Sequence, residues 1–302
     1  MSSSTSEPQK LFDRIAIMGV GLIGGSIALA AKSWNVADHV IGYGRNRSRL
    51  QAALERGIIE EVASTPEELA KADLIVVCTP VDRIAEDAIL ALRATSGSSI
   101  LITDAGSVKT RILEEIAHQV SDDRFVGAHP LAGSHHSGFE HAAPNLFQSR
   151  LCLVTPRSDQ ESGQESENKT KQVCRFWEQI GMRVKLMSAE EHDRILALTS
   201  HLPHLAASVV AGIVDPAFLE YAATGYRDTT RVAAGDPELW SAILTMNSPE
   251  IINGIDQMIS SLQQYREHLQ ENQKSAVVSL LEQGKLNRQC YREETPRLDD
   301  GT

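Results

Sequence analysis

The sequence predicts two units in series, a Rossmann-type, doubly wound, mostly parallel α/β domain followed by an all-α domain. Three observations carry this. From Arg14 to about Met187, short apolar runs rich in Ile and Val alternate with amphipathic segments, the pattern of strands joined by crossover helices. Several of these runs are apolar continuously rather than at every second residue, as strands covered on both faces by helices should be. After Ser188 the strand signal stops and the apolar spacing becomes helical.

In chain order, residues 1–12 are largely polar and Ser-rich and are expected to be a flexible tail. The start lacks a basic stretch followed by an apolar one, so it reads as neither signal peptide nor anchor. Residues 13–188 are the dinucleotide-binding domain, with strands at RIAIMG, HVIGYG, DLIVVCTP, SSILITDAG, RFVGAHP, RLCLVTP and RVKLM. Thr65-Pro66-Glu67-Glu68 reads as a capping box that opens a short helix before DLIVV. Arg157 to Lys171 reads as an exposed polar loop leading into a helix that holds Phe176 and Trp177.

Ser188 to Glu191 is a second capping box and opens the helical substrate and dimerisation domain, residues 189–284. Ile195, Leu198, Leu202, Leu205 and Val209 follow at helical spacing, and Pro203 should kink that helix. Asp236-Pro237 and Ser248-Pro249 each open a further helix. The second carries a stripe of Ile251, Ile255, Met258, Leu262 and Leu269. A stripe of that length on so small a domain calls for a second copy of the chain, hence a homodimer. Residues 285–302 are expected to be a flexible tail. No apolar run approaches the roughly 18 residues of a membrane span.

The 302 residues carry 29 Lys plus Arg against 40 Asp plus Glu, a formal charge of −11, which argues against a general nucleic-acid or anionic-membrane binder. The hydrophobic share of 42% supports a packed core without metals or disulfides. Cys78, Cys152, Cys174 and Cys290 form no CxxC pair and read as thiols of a reducing, cytoplasmic compartment.

Gly19-Val20-Gly21-Leu22-Ile23-Gly24 lies directly between a strand and a helix. In that context the first glycine makes the turn, the second admits a pyrophosphate, and the third allows close packing of helix on strand. The helix N-terminus supplies N–H donors for phosphate. At the end of the second strand, where NAD-preferring sites place a carboxylate, the sequence reads Gly44-Arg45-Asn46-Arg47. Gly44 removes repulsion of a 2′-phosphate, and Arg45 with Arg47 offers charge-assisted hydrogen bonds to it, so NADP is favoured over NAD. Arginines merely solvated on the next helix would leave NAD or dual use.

Three further segments fall at strand ends, where open α/β sheets bind ligands: Cys78-Thr79-Pro80, Thr103 to Lys109, and Gly127 to Ser134. Thr79 and Pro80 should rim the cofactor. His129 ends a strand, and an imidazole of ordinary basicity is suited to take a proton from an alcohol as hydride leaves the same carbon. Ser107 could bond it or the nicotinamide carboxamide. Residue type alone leaves a strand-capping histidine as the other reading of His129.

DAGSVKT, GAHPLAGSHHSGFEHA, SHLPHLAA and GYRDTTRVAAGDPELW, in this order, resemble the prephenate and arogenate dehydrogenases of tyrosine biosynthesis, over nearly the whole chain from Arg14 to about Leu280. The resemblance implies oxidative decarboxylation: hydride leaves the ring carbon bearing the hydroxyl, carbon dioxide leaves the opposite carbon, and the ring becomes aromatic. It implies that His129 is the base and Ser107 its orienting serine. His201 and Arg231 would contact substrate, Arg231 at a carboxylate, with Asp228 and Trp240 near the pocket mouth. His135 stands where some relatives carry glutamate, which puts a gating role there in doubt. His201 and His204 lack a third metal ligand. No room is expected after the helical domain for a regulatory module, so any tyrosine feedback is expected to act by competition at the pocket.

Other readings are a β-hydroxyacid dehydrogenase, with Lys109 as the tempting catalytic lysine, and a silent NADP sensor needing none of His129, Ser107 or Arg231. Prephenate is weakly preferred over arogenate, because only Asp228 presents itself for an ammonium group.

Overall fold

A computed structural model describes residues 10–133, 136–157 and 163–291. Its eight-stranded sheet contains β1 (Phe12–Met18), β2 (Ala37–Tyr43), β3 (Glu61–Val62), β4 (Leu74–Val77), β5 (Leu101–Asp104), β6 (Phe125–Pro130), β7 (Leu151–Thr155) and β8 (Arg183–Leu186). The spatial order is β3-β2-β1-β4-β5-β6-β7-β8, parallel except where β7 runs antiparallel to β6. The order reverses between β1 and β4, where this class of sheet opens a crevice at its carboxyl edge.

The continuous apolar runs have the expected cause. Ile15 and Ile17 of β1 pack on one face with α1 (Leu22–Ser33) and α5 (Gln164–Gln179), while Ala16 and Met18 pack on the other with α3 (Ile84–Ala94) and α4 (Thr110–Gln119). Each fully buried Ile or Val is worth about 1.5–3 kcal/mol relative to exposure. On the rim, β8 is mostly exposed and carries Arg183 and Lys185, charges that discourage pairing with another chain.

All seven strands expected from the sequence are present, together with the two-residue β3. Three local expectations are corrected. Pro66–Lys71 is a 3₁₀ turn and the Thr65 side chain does not cap its backbone. The expected loop through Lys171 is already helix from Gln164, since its Glu, Gln and Lys residues are good helix formers once Phe176 and Trp177 anchor the far end in the core. The expected C-terminal tail from 285 is still helical through Cys290.

The helical part comprises α6 (Ala189–Leu196), α7 (Leu202–Gly212), α8 (Thr224–Thr230), α9 (Pro237–Met246), α10 (Ser248–Gln270) and α11 (Lys274–Cys290). The Ser188 and Asp236 side chains accept hydrogen bonds from Glu191 N and Glu238 N, capping α6 and α9 as their sequences suggest. A single π-turn, Ala197–His201, joins α6 to α7 just before Pro203, whose missing N–H releases one backbone acceptor.

The apolar row expected along this helix is buried only in part: Leu202 is buried and Ile195 and Leu205 half-buried, but Leu198 and Val209 are exposed, whereas His192, Asp193, His201 and His204 are buried. Contrary to expectation, Ala189–Gly212 is also long and apolar enough to cross a membrane by length and composition. Its inward face is instead hydrogen-bonded into the protein.

Candidate active site

The glycine loop divides its labour as its spacing suggests. Gly19 has φ +92°, and a Cβ there would meet the Cys78 and Thr79 backbone at 2.9 Å. At Gly24 a Cβ would lie 2.3 Å from Gly19 O and 2.8 Å from Ile17 Cγ2, so helix and strand touch through hydrogen only. Gly21 faces open space, and no side chain caps the α1 N-terminus, leaving the first-turn N–H groups, those of Leu22 and Ile23 among them, to point into the crevice. The adjoining Thr79 hydroxyl is buried without a partner, and Pro80 turns the chain into Val81–Arg83. A phosphate-bearing nucleotide fits these features: free donors, room beside the backbone and one unspent hydroxyl.

The end of β2 differs from expectation in two respects. Gly44 is open and Arg45 exposed. Asn46, however, caps α2 (Arg47–Glu55) by accepting from Arg49 N at 3.0 Å. Arg47 donates to Ala63 O and Ser64 O, which draws its guanidinium onto the loop after β3. Those carbonyls lack strand partners, and the fork satisfies both.

His129 emerges at the end of β6, half-buried, and Pro130 closes the strand behind it. Its Nδ1 lies 2.9 Å from His192 Nε2, and His192 Nδ1 lies 2.7 Å from Asp193 Oδ1. Asp193 also accepts from Lys109 N at 2.9 Å and Thr110 N at 2.8 Å, the uncapped start of α4. Burial, with His192, Lys109 and His201 adding positive potential, pushes the His129 pKa well below its ordinary 6.5. The basicity assumed from residue type is therefore too high, and the ring is neutral at physiological pH. Ser107 is half-buried on the adjacent loop and has no hydrogen bond to either ring nitrogen, while Nδ1 is taken by His192.

Lys109 is fully buried, its Nζ on Asp104 and on Ala128 O at 2.8 Å. Asp104 also accepts from Gly106 N and Ala128 N, both at 2.9 Å. This pair clamps β5 to β6 immediately before His129, so the ammonium is structural rather than a free catalytic lysine.

In the helical part, Asn247 Nδ2 donates to Asp193 O at 2.9 Å and lies 3.1 Å from His201 Nδ1. Burial lowers the His201 pKa to about 4. Trp240 stacks on His204, ring centroids 3.5 Å apart, and meets His201 edge-on at 6.4 Å. The structure thus joins His129 and His201 through one polar network, against which Trp240 packs by ring contact. Asp228 and Arg231 stand apart, exposed on α8 and on the turn Arg231–Ala234 that packs on α7, with Asp228 paired to Arg227 at 3.0 Å. His135 lies outside the described residues. Among the described residues no group of three His, Cys, Asp or Glu side chains could hold a metal.

Sequence reasoning missed His192, Asp193 and Asn247. One signal was available: Ala189, His192 and Leu196 share a helical face just after a capping box, so a His-Asp pair falls where apolar residues belong.

The prephenate dehydrogenase nucleotide-binding domain family matches residues 27–186, and the prephenate dehydrogenase dimerization domain family matches residues 188–283. A cyclohexadienyl dehydrogenase of Zymomonas mobilis is 33% identical over 290 residues, covering 88% of this chain and 96% of its own. A prephenate dehydrogenase of Bacillus subtilis is 34% identical over 274 residues, covering 86% and 71%. Among solved structures, a prephenate dehydrogenase from Aquifex aeolicus in complex with hydroxyphenyl propionate and NAD+ superposes with a TM-score of 0.82 at 28% identity, covering 92% of this chain and 97% of its own. A Synechocystis arogenate dehydrogenase superposes at 0.78 with 28% identity, covering 92% and 100%.

Proposed function

The chain belongs to the prephenate dehydrogenase family, and from that premise we infer that it oxidatively decarboxylates prephenate or arogenate, with hydride passing to a pyridine nucleotide. The observation that carries the division of labour is the position of His129: at the carboxyl edge of the sheet, next to the switch point, with Nδ1 committed to His192 and Nε2 left to face substrate.

The glycine loop, the α1 N-terminus and Thr79 would hold the nucleotide, which would supply the hydride acceptor. His129 Nε2 takes the hydroxyl proton as hydride leaves the same ring carbon. The opposite carbon then loses its carboxylate as carbon dioxide, and the freed electron pair makes the ring aromatic. The proton returns from His129 to the oxygen, now phenolic, and the ring is again neutral. Burial keeps His129 deprotonated and ready, at the cost of a weaker base that acts only as hydride departs. Ser107 orients the substrate hydroxyl or the carboxamide, His201 and Trp240 line the substrate side, and Arg231, exposed at the pocket mouth with Asp228, meets a carboxylate.

NADP is the favoured cofactor, a preference now resting on Gly44 and Arg45, since Arg47 is occupied. Prephenate is favoured over arogenate, because Asp228, the one carboxylate available for an ammonium group, is already paired with Arg227. A reducing, cytoplasmic setting is the reading that rests on Cys78, Cys152, Cys174 and Cys290 lying scattered in the sequence with no CxxC pair.

The domain boundary falls at Ser188, and the helical part builds a homodimer. Ile213, Phe218, Tyr221, Leu262 and Leu269 are all exposed on a single chain, an apolar area that a second copy would cover. Sedimentation of the full chain at twice the monomer mass is the check.

The test of the activity is reduction of NADP and NAD with each substrate, repeated with His129→Asn. Turnover is expected with prephenate and lost, by about 10²–10⁴-fold, on the substitution, with nucleotide affinity unchanged. Retained turnover would remove His129 as the base.

A further inference from the structure

Resting on the reading of His129 as base, we propose that Asp193 is a tautomer hub. Through His192 it holds His129 with an unprotonated Nε2, and through Asn247 it holds His201 with a protonated Nε2, so that one ring accepts a proton from substrate while the other donates a hydrogen bond to it.

With His129 and His192 neutral, as their lowered pKa values require, the hydrogen-bond inventory leaves one consistent assignment. Asp193 receives Lys109 N–H and Thr110 N–H, so its carboxylate acts as acceptor throughout. The proton in its 2.7 Å contact with His192 Nδ1 must therefore belong to histidine. A neutral His192 protonated at Nδ1 has only a lone pair at Nε2. Across the 2.9 Å contact, His129 must donate from Nδ1, and its Nε2 carries the lone pair. The other arm runs in the opposite sense. Asn247 Nδ2 faces the Asp193 carbonyl, which accepts only, so this end of the side chain is the amide NH₂. Its second hydrogen points at His201 Nδ1, which accepts and leaves the His201 proton on Nε2.

Neither His192, Asp193 nor Asn247 needs to touch substrate; they are positioning residues. Asp193 is also the cap of α4 supplied from the helical part, since Lys109 offers α4 no side-chain cap of its own. The tautomer of the base is thus coupled to the seating of the helical part on the nucleotide domain. The carboxylate satisfies three donors at once, Oδ1 those of Lys109 N and His192 Nδ1 and Oδ2 that of Thr110 N, while the backbone carbonyl takes Asn247. Because Lys109 N and His192 Nδ1 share Oδ1, an asparagine with its oxygen there would keep the His192 proton on Nδ1. Alanine removes the acceptor altogether. His192 is then free to carry its proton on either nitrogen, and His129 populates the tautomer protonated at Nε2, which blocks the base.

The experiment compares the full chain with Asp193→Ala, Asp193→Glu, His192→Phe and His129→Asn, measuring kcat, KM and the ¹⁵N chemical shifts of the histidine rings. Asp193→Ala is expected to lower kcat by about 10–10²-fold with KM within about threefold, and to draw the ¹⁵N shifts of His129 Nδ1 and Nε2 toward each other as both tautomers are populated. Asp193→Glu should restore part of kcat and the original shifts. His192→Phe leaves the α4 cap in place and should lose kcat similarly, so it carries the test if Asp193→Ala fails to fold. Turnover of Asp193→Ala or His192→Phe within about fivefold of the parent, or a loss with the His129 shifts unmoved, would overturn the hub. If His129→Asn stays active, the base reading falls instead; loss in His129→Asn with activity kept in the other variants sinks the hub alone.

Discussion

At the scale of single residues, cofactor choice turns on two neighbours with different fates. Arg45 is exposed beside the open Gly44, while Arg47, chemically its equal, is spent on two backbone carbonyls. A carboxylate at Gly44 would meet no steric obstacle, since nothing lies within 4 Å of its added Cβ. Gly44→Asp is therefore expected to fold normally, to raise KM for NADP by about 10–100-fold and to leave or improve use of NAD. One charge-assisted hydrogen bond exchanged for a repulsion sets that scale. Steady-state kinetics with both nucleotides is the measurement, and an unchanged ratio of the two KM values would remove Gly44 from the discrimination. The glycine motif, Gly44 and His129 were all legible as residues. The basicity of His129 was not, because desolvation depends on what packs around the ring.

At the scale of elements, the close approach of α1 to β1 and the carboxyl end of β4 determines where phosphate binds. Gly24→Ala would put a methyl group 2.3 Å from a backbone oxygen, and backbone cannot yield as a side-chain tip would. The substitution is expected to cost about 1–3 kcal/mol of stability and to weaken nucleotide binding, because any relief moves the α1 N-terminus away from the loop. Denaturant unfolding and a nucleotide titration on the same variant check both halves. Capping residues were read correctly at Ser188 and Asp236 but not at Thr65 or Ser248. Asn247 rather than Ser248 precedes the first turn of α10, and its side chain serves Asp193 and His201 instead of the helix. A local motif states what a side chain could do, and distant partners decide which offer is taken.

At the scale of the whole molecule, the junction between the sheet and the helical part gathers His129, His192, His201 and His204, each with its pKa lowered by burial. Their unfolded counterparts take up protons first as pH falls below about 6.5, so the unfolded state gains and stability is lost on acidification, until the folded rings titrate as well. For His201, whose pKa falls from 6.5 to about 4, the linkage is on the order of 3 kcal/mol over that window. The denaturant midpoint of the wild-type chain is expected to decline steadily from pH 7 to pH 4.5, with a shallower slope for His201→Asn. Equal slopes would mean that His201 titrates in the folded chain near its ordinary value.

Fold class, the seven main strands, the glycine loop and the family resemblance were determined by the sequence alone, because each depends on periodicity or on residues adjacent in the chain. Which of two arginines stays free, which face of the 189–212 helix is buried, and how His129 is held were decided only by tertiary structure. The physical reason is the same in each case. Hydrogen-bond partners and desolvation are properties of what folding brings together: His129 and His192 are 63 residues apart, and Lys109 and Asp193 are 84. A sequence records the donors and acceptors, while the fold assigns each proton to one of them.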